Sequence, residues 1–310
     1  MKKFILKTLL FALVTGIILI YALLLMPNPA IEHNMMSALL DKHKRLEQTP
    51  SPRIIFIGGS NLSFGLDSKK IEEQLQIPVV NAGLHAAIGM KYYLNDIKPY
   101  IRKGDLVILS PEYGQFYTDA FYGRTELVCV LFDVYREGQM HLDFRHWCRL
   151  LKFIPGYAVS KLKPTKKRSK NQTISVYDRK AFNEHGDAFI HWNLPRKYIK
   201  PASPISADEQ VSGEVVSFIE DFEDHVNSLS ADFLIVPPAY QSSSYANHAA
   251  IIDSVMQALA KADLPVISMP EKYRFDDSLF FDTYYHLTKP GIDIRTRMLI
   301  DDLRMVVKRD

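Results

Sequence analysis

The sequence predicts an α/β domain, a parallel sheet covered by helices on both faces, carried behind a single N-terminal membrane span. Three observations lead there. An uncharged, mostly apolar run of nineteen residues, Thr8–Met26, follows Lys2, Lys3 and Lys7. Short, continuously apolar runs recur down the chain, each ending in small or turn-forming residues. Helix-length segments separate the first three of these runs. The composition agrees, since 47% hydrophobic and 24% charged residues exclude a disordered or fibrous chain. The net charge of +3, from 38 basic and 35 acidic residues, is too balanced for a dedicated nucleic-acid binder. Two cysteines, Cys129 and Cys148, are too few for a disulfide framework or a four-cysteine zinc site, and their pairing stays open.

At 1.5 Å per residue the apolar run spans roughly 28 Å, about one hydrocarbon core. The preceding lysines place the N-terminus in the cytoplasm and everything after Pro27 on the outer side. A cleaved signal peptide is the competing reading. The run exceeds the usual length of a signal-peptide apolar region, and no small-x-small cleavage site follows Met26-Pro27-Asn28-Pro29-Ala30. Residues 1–30 are therefore read as an anchor, 31–52 as a juxtamembrane segment and 53–310 as the α/β domain.

The juxtamembrane stretch 31–50 is polar-amphipathic and predicts a helix ending before Pro50 and Pro52. Arg53–Gly58 then opens the domain with an apolar run of the kind buried on both faces of a sheet. The same signature returns at Val79–Gly83, Leu106–Ser110, Phe233–Pro237 and Pro265–Ser268. Segments 68–76 and 88–102 have helical length, as does 209–229 before the fourth run, and this alternation predicts parallel strands. Between the third and fourth runs lies a gap far longer than an ordinary connection, so 114–207 is read as an insertion capping one end of the sheet. It contains a basic run, Lys161–Lys170, with six positive residues in ten, read as a solvated loop.

In open parallel sheets ligands bind outside the carboxyl ends of the strands, so the residues after each apolar run are the candidates. The first run leads into Gly58-Gly59-Ser60-Asn61, where two glycines allow a tight turn presenting a hydroxyl at a helix start. That serine reads either as a nucleophile or as a simple helix cap. Asn81-Ala82-Gly83 after the second run offers a backbone N–H for an oxyanion or merely a turn. The third and fourth runs lead to Glu112, Tyr113 and Gln115, and to Tyr240, expected to wall the site. Near the C-terminus, Asp282 and His286 precede a helix beginning near Lys289–Gly291. A carboxylate there can fix the imidazole tautomer while the other ring nitrogen takes a proton from a serine. A metal site built from Glu184, His185, Asp187 and His191 lacks ordered ligand spacing, and neither a metal nor a cofactor is expected.

Taken together, Gly58-Gly59-Ser60-Asn61, Gly83, and Asp282 with His286-Leu287 and Gly291 resemble the sequence blocks of the SGNH/GDSL hydrolase superfamily. The resemblance runs from about Arg53 to Leu303, with the 114–207 insertion unmatched. It implies a flavodoxin-like α/β/α sandwich of five parallel strands that hydrolyses esters or moves acyl groups. Ser60 would be the nucleophile, His286 the base and Asp282 the orienting acid. The backbone N–H groups of Ser60 and Gly83, with Asn61, would form the oxyanion hole. Two departures matter. The family acid sits three residues before the histidine, where this chain has Thr283, so Asp276 and Asp277 compete with Asp282. The oxyanion-donating Asn of the third block is also absent, and a carboxylate such as Glu112 donates only when protonated.

The architecture is most similar to single-pass, membrane-anchored members of the superfamily, such as the teichoic-acid D-alanyl transfer and alginate acetylation proteins. That likeness implies a serine esterase or O-acyltransferase acting outside the cell membrane on acyl groups of an envelope glycan or polymer. A multi-pass membrane O-acyltransferase is the implied partner, and nucleic acid is not one. The alternative is a catalytically degenerate accessory protein that binds such a glycan or acyltransferase. Localisation is the first test. The full chain is expected to stay in the membrane fraction after alkaline carbonate, and protease added to intact spheroplasts is expected to degrade the domain. A soluble product starting near Ala30 would mean a cleaved signal instead.

Overall fold

A computed structural model describes residues 1–117, 119–163, 173–205 and 209–307. Helix α1 (Lys2–Leu24) is long and apolar enough to cross a membrane, and among the described residues no other helix is. Two 3-10 turns follow, the second capped by the Asn34 side chain, so α2 (Ala38–Gln48) is shorter than the expected 31–50 helix. The sheet begins with β1 (Ile54–Gly58), followed by α3 (Ser60–Ser63), α4 (Ser68–Leu75), β2 (Val79–Asn81), α5 (Met90–Ile97) and β3 (Leu106–Ser110). The insertion carries α6 (Thr125–Cys129), α7 (Phe144–Leu150) and α8 (Ile154–Lys161). The chain returns through α9 (Gly213–Ser228), β4 (Asp232–Ile235), β5 (Tyr240–Gln241), α10 (Ser242–Lys261), β6 (Arg274–Phe275) and α11 (Lys289–Val307).

All four strands of the main sheet are parallel, in the order β2-β1-β3-β4. Side chains on successive strand residues point to opposite faces, and the packing follows that period. Ile55, Ile57, Val107 and Leu109 pack on one face with α5, α9 and α10. Ile54, Phe56, Leu106 and Ile108 pack on the other with residues of α4 and α11. This double cover explains why β1 and β3 read as unbroken apolar runs rather than alternating ones.

The fifth run, Pro265–Ser268, does not form a strand. It contributes one parallel bridge, Val266 to Ile235, held by Ile235 N–H to Pro265 O (2.8 Å) and Ile267 N–H to Ile235 O (3.0 Å). Pro265 has no N–H to donate, and Pro270 opens a 3-10 turn just beyond, so the pairing stops. The short strands β5 and β6 make a separate parallel pair. The expected helices at 88–102 and 209–229 are present but shorter, with Gly89 (φ +92°) setting the start of α5. Of the basic run, residues 164–170 lie outside the described residues.

The insertion builds a core of its own. Leu127, Val128, Val130, Leu131, Leu150 and Ala158 pack with Met35, Met36 and Leu39 of the juxtamembrane segment. Ala22 and Leu23, at the end of α1, are buried in the same cluster. A second tie fastens α2 to the sheet. The fully buried Arg53 pairs with Asp105 (3.2 Å) and donates to the carbonyl oxygens of Leu46, Thr49 (2.8 Å) and Tyr100. Removing one partner of a buried pair typically costs about 3–5 kcal/mol, because the other charge is left uncompensated. Arg53→Leu is therefore expected to lower the urea midpoint of the detergent-solubilised full chain by a corresponding amount. An unchanged midpoint would show that the pair contributes little to stability.

Candidate active site

The end of β1 runs into a turn that admits no side chain. A Cβ on Gly59 would lie 2.6 Å from Glu112 Oε1 and 3.0 Å from the Cβ of Ala86. Glycine therefore lets the turn pass under the end of β3, and Ser60 opens α3 directly beyond it. The turn is clamped from behind by a cation that the sequence did not single out. Arg295 of α11, with no exposed surface, donates to Asn61 O (2.6 Å), Asn61 Oδ1 (3.3 Å) and Ser110 Oγ (3.2 Å). Burial lowers the Arg295 pKa to about 10, so the guanidinium stays charged near neutrality.

The same clamp defines the role of the Asn61 side chain. Its Nδ2 donates to Ser110 O (3.0 Å) and its Oδ1 accepts from Ser110 Oγ (3.2 Å), which turns the amide into the sheet. The Gly83 N–H is likewise committed, to Asn81 Oδ1 (3.0 Å). A backbone N–H that the sequence did not single out, that of Asn61, points at the serine's surroundings. It donates to Glu112 Oε1 (3.3 Å), and the Ser60 hydroxyl donates to the same oxygen (3.4 Å). A hydroxyl and an N–H thus converge on one carboxyl oxygen.

The C-terminal loop brings its acid and base together. His286 Nδ1 lies 2.9 Å from Asp282 Oδ1, and both side chains are nearly buried. Asp276 instead holds Ser278, and Asp277 accepts from the Ser243 N–H (3.0 Å). The one-residue offset from the family spacing is absorbed by a turn in which Thr283 accepts the backbone N–H groups of Tyr285 (3.2 Å) and His286 (3.1 Å). Burial alone would raise the Asp282 carboxyl. The hydrogen bond and charge of His286, with the Tyr177 hydroxyl (2.7 Å) and Lys197, more than offset it and hold the pKa below the usual range. With Nδ1–H donated to Asp282, Nε2 is the basic ring atom.

Ser60 and His286 share a neighbourhood without a hydrogen bond between them among the described residues. Phe64 links the two: its N–H closes the turn on Ser60 O (2.9 Å), and its ring stacks on the imidazole with centroids 4.2 Å apart. Its carbonyl accepts the Leu287 N–H (3.1 Å). Glu112 is close enough to feel the imidazole charge. Burial raises the Glu112 pKa, opposed by His286 and by the donors from Asn61 and Ser60.

Compared with models of known protein families and with curated proteins, the chain matches none.

A space of about 420 Å³ is bordered by Glu112, Tyr113, Gln115 and Tyr240, together with Tyr284 and Tyr285, and neither Ser60 nor His286 is part of its lining. Gln115 is held by the Tyr93 hydroxyl (3.1 Å) and by the Glu112 N–H (3.1 Å), and Tyr240 by His248 (2.8 Å). The histidines and acids of the insertion serve the scaffold. Asp187 accepts from Ser68 Oγ (2.6 Å) and Asn81 Nδ2 (2.8 Å), and His191 bonds Leu287 O (3.1 Å). His185 lies 3.6 Å from Glu72. Among the described residues no three such side chains are grouped to hold a metal.

Sequence reasoning missed Tyr177, Arg295 and Phe64. Tyr177 comes from the unmatched insertion and Arg295 from mid-helix, where neither has a local motif. Phe64 lay four residues beyond Ser60, one helical turn, and that spacing was the available signal. The tautomer is directly testable by proton NMR. Asp282→Asn is expected to remove a low-field His286 Nδ1 proton signal that Asp277→Asn retains. The reverse pattern would reassign the acid.

Proposed function

We propose that this chain is an SGNH-type serine esterase or O-acyltransferase, anchored by α1 with its domain outside the cell membrane. The acyl groups would belong to an envelope glycan or polymer, with a multi-pass O-acyltransferase as partner. The observation that carries the reading is the convergence of Ser60, after β1, and the Asp282–His286 pair, before α11, around Phe64. The four-stranded sheet with the Val266 bridge at its edge supports a flavodoxin-like sandwich whose fifth strand is reduced to that bridge.

In this chemistry Ser60 Oγ attacks the acyl carbonyl as its proton passes to His286 Nε2, and Asp282 holds the imidazolium formed. Collapse of the tetrahedral adduct expels the alcohol, which takes the proton from His286 and leaves an acyl-Ser60. Water or a glycan hydroxyl then attacks that ester by the same steps in reverse. An oxyanion on this adduct would be met by the Asn61 N–H, which in the resting site donates to Glu112 Oε1 beside the Ser60 hydroxyl. An ionised carboxylate there opposes a developing negative charge, whereas a neutral carboxyl can donate to it. The ring-lined cavity of Tyr240, Tyr284 and Tyr285 suits the flat faces of a sugar.

The accessory-protein reading draws on one observation, that Ser60 is hydrogen-bonded to Glu112 and not to His286. Labelling with a fluorophosphonate separates the two. The enzyme reading expects labelling of wild type and none of Ser60→Ala; an unlabelled wild type would favour the accessory role.

The pH dependence adds a finer test. Glu112 is neutral below its raised pKa and ionised above it, so labelling is expected to fall as pH rises through that value. In Glu112→Gln this fall with rising pH is expected to disappear, because an amide keeps the shape without the charge. A Gln variant that keeps the fall would exclude Glu112 as its source.

A further inference from the structure

We propose that α7 and α8 lie in the bilayer interface beside α1, so that the domain is seated on the membrane surface rather than tethered above it. The argument starts from where α1 meets the insertion. Helix α8 packs along α1, and Leu19, Ala22, Leu23 and Met26 all join the insertion's core. Leu19 lies seven residues before Met26, the last residue of the apolar run. At 1.5 Å per residue that is roughly 10 Å, so α8 runs beside the part of the span nearest the headgroups.

The junction is a fixed one. Lys161 of α8 donates to Leu23 O (3.2 Å) while pairing with Asp133 (2.8 Å), and Arg136 donates to Leu24 O (3.0 Å). These cations satisfy carbonyl oxygens at the end of α1 that have no helical partner of their own. A charge-assisted cap of this kind holds α8 and α1 in one arrangement at the level where the span ends.

The other face of α7 and α8 is apolar and uncovered. On α7 Phe144 and Cys148, and on α8 Pro155 and Val159, are exposed at a spacing of four, with the exposed Leu151 and Leu162 capping the two helix ends. Each helix thus shows an apolar exposed side distinct from the one that buries His146 and Leu150, or Tyr157, Ala158 and Lys161. Phe144 is 84% exposed and Leu151 59%, a poor arrangement for a surface that meets only water. Arg145, Arg149, Lys152 and Lys163 flank the row. Glu214 and Asp119 answer the first three of these cations, leaving a positive margin for anionic headgroups. A lipid surface fits this combination of continuity with the span, apolar face and basic border.

The seating matters for the site. A cavity of about 530 Å³ is lined by Asn28 and Met36 just past the span, by Tyr157 and Ser160 of α8, and by Tyr177. Tyr177, one wall of this cavity, donates its hydroxyl to Asp282, so a lining residue touches the Asp–His pair.

The proposal rests on α1 crossing the bilayer, and the test reads both. Full-length protein is placed in nanodiscs of phosphatidylcholine and phosphatidylglycerol, with a nitroxide on the exposed Cys148, Cys129 being buried. In a Cys148→Ser background, further labels go on Val159→Cys and Leu162→Cys, with Ile17→Cys in mid-span and Lys69→Cys on α4 as references. Collision rates with oxygen and with a water-soluble nickel chelate report depth. Labels at 148, 159 and 162 are expected to favour oxygen, as Ile17 does, and Lys69 to favour nickel. If the three read like Lys69 while Ile17 reads as buried, α1 spans but the seating is wrong. If Ile17 also reads as aqueous, the span and the seating fall together.

Discussion

A single buried guanidinium holds the two ends of the candidate site together. Arg295, reaching from the C-terminal helix, bonds the backbone and side chain of Asn61 and the hydroxyl of Ser110. Those contacts join the turn after β1, the end of β3 and α11. Without them the serine turn and the loop carrying His286 would be fastened chiefly through Phe64. A cation with no exposed surface is costly to bury unless its donors find partners. Here three oxygens meet its two terminal nitrogens, while Nε is left without a partner among the described residues. A Cβ on Gly65 would come within 2.4 Å of its Nη1, so glycine is required for the approach.

The central sheet was legible because burial on both faces leaves a blunt signature. Ile54-Ile55-Phe56-Ile57 and Leu106-Val107-Ile108-Leu109 have no polar face to show, and glycine or serine marks where each strand ends. The Pro265–Ser268 run shared that composition but failed as a strand, since its proline withdraws one donor and its neighbours turn away. Within the site, local spacing sufficed for Asp282 and His286, four residues apart in one loop. It could not disclose that Gly83 would spend its N–H on Asn81, or that the Asn61 amide would face Ser110. The Asn81 amide is aimed at Gly83 by its own bonds to Leu62 O and Asp187 Oδ1, and the Asn61 amide is held by Ser110 and by Arg295, more than two hundred residues away.

The insertion was the least readable part and does more than cap the sheet. Its hairpin near Gly186 takes the Nζ of the buried Lys42 on a carbonyl oxygen (2.6 Å), while Asn81 O takes the same ammonium (2.8 Å). Burial lowers the Lys42 pKa to about 7, against the pull of Asp187 and Asp41. The juxtamembrane helix, the end of β2 and the insertion thus share one cation. Tyr177 adds a contact from the same insertion to Asp282. Helix α1, the insertion and the loop carrying Asp282 and His286 are consequently coupled through packed groups rather than through a free linker.

Under the proposed function, His286 makes Ser60 a nucleophile despite the resting hydrogen bond to Glu112. The most direct measurement is intact-protein mass spectrometry after brief exposure of the full chain to p-nitrophenyl acetate, followed by peptide mapping. A single added acetyl group on Ser60 is expected in wild type, and no such adduct in His286→Ala. An adduct on another residue, or one on Ser60 that forms equally well without His286, would contradict it.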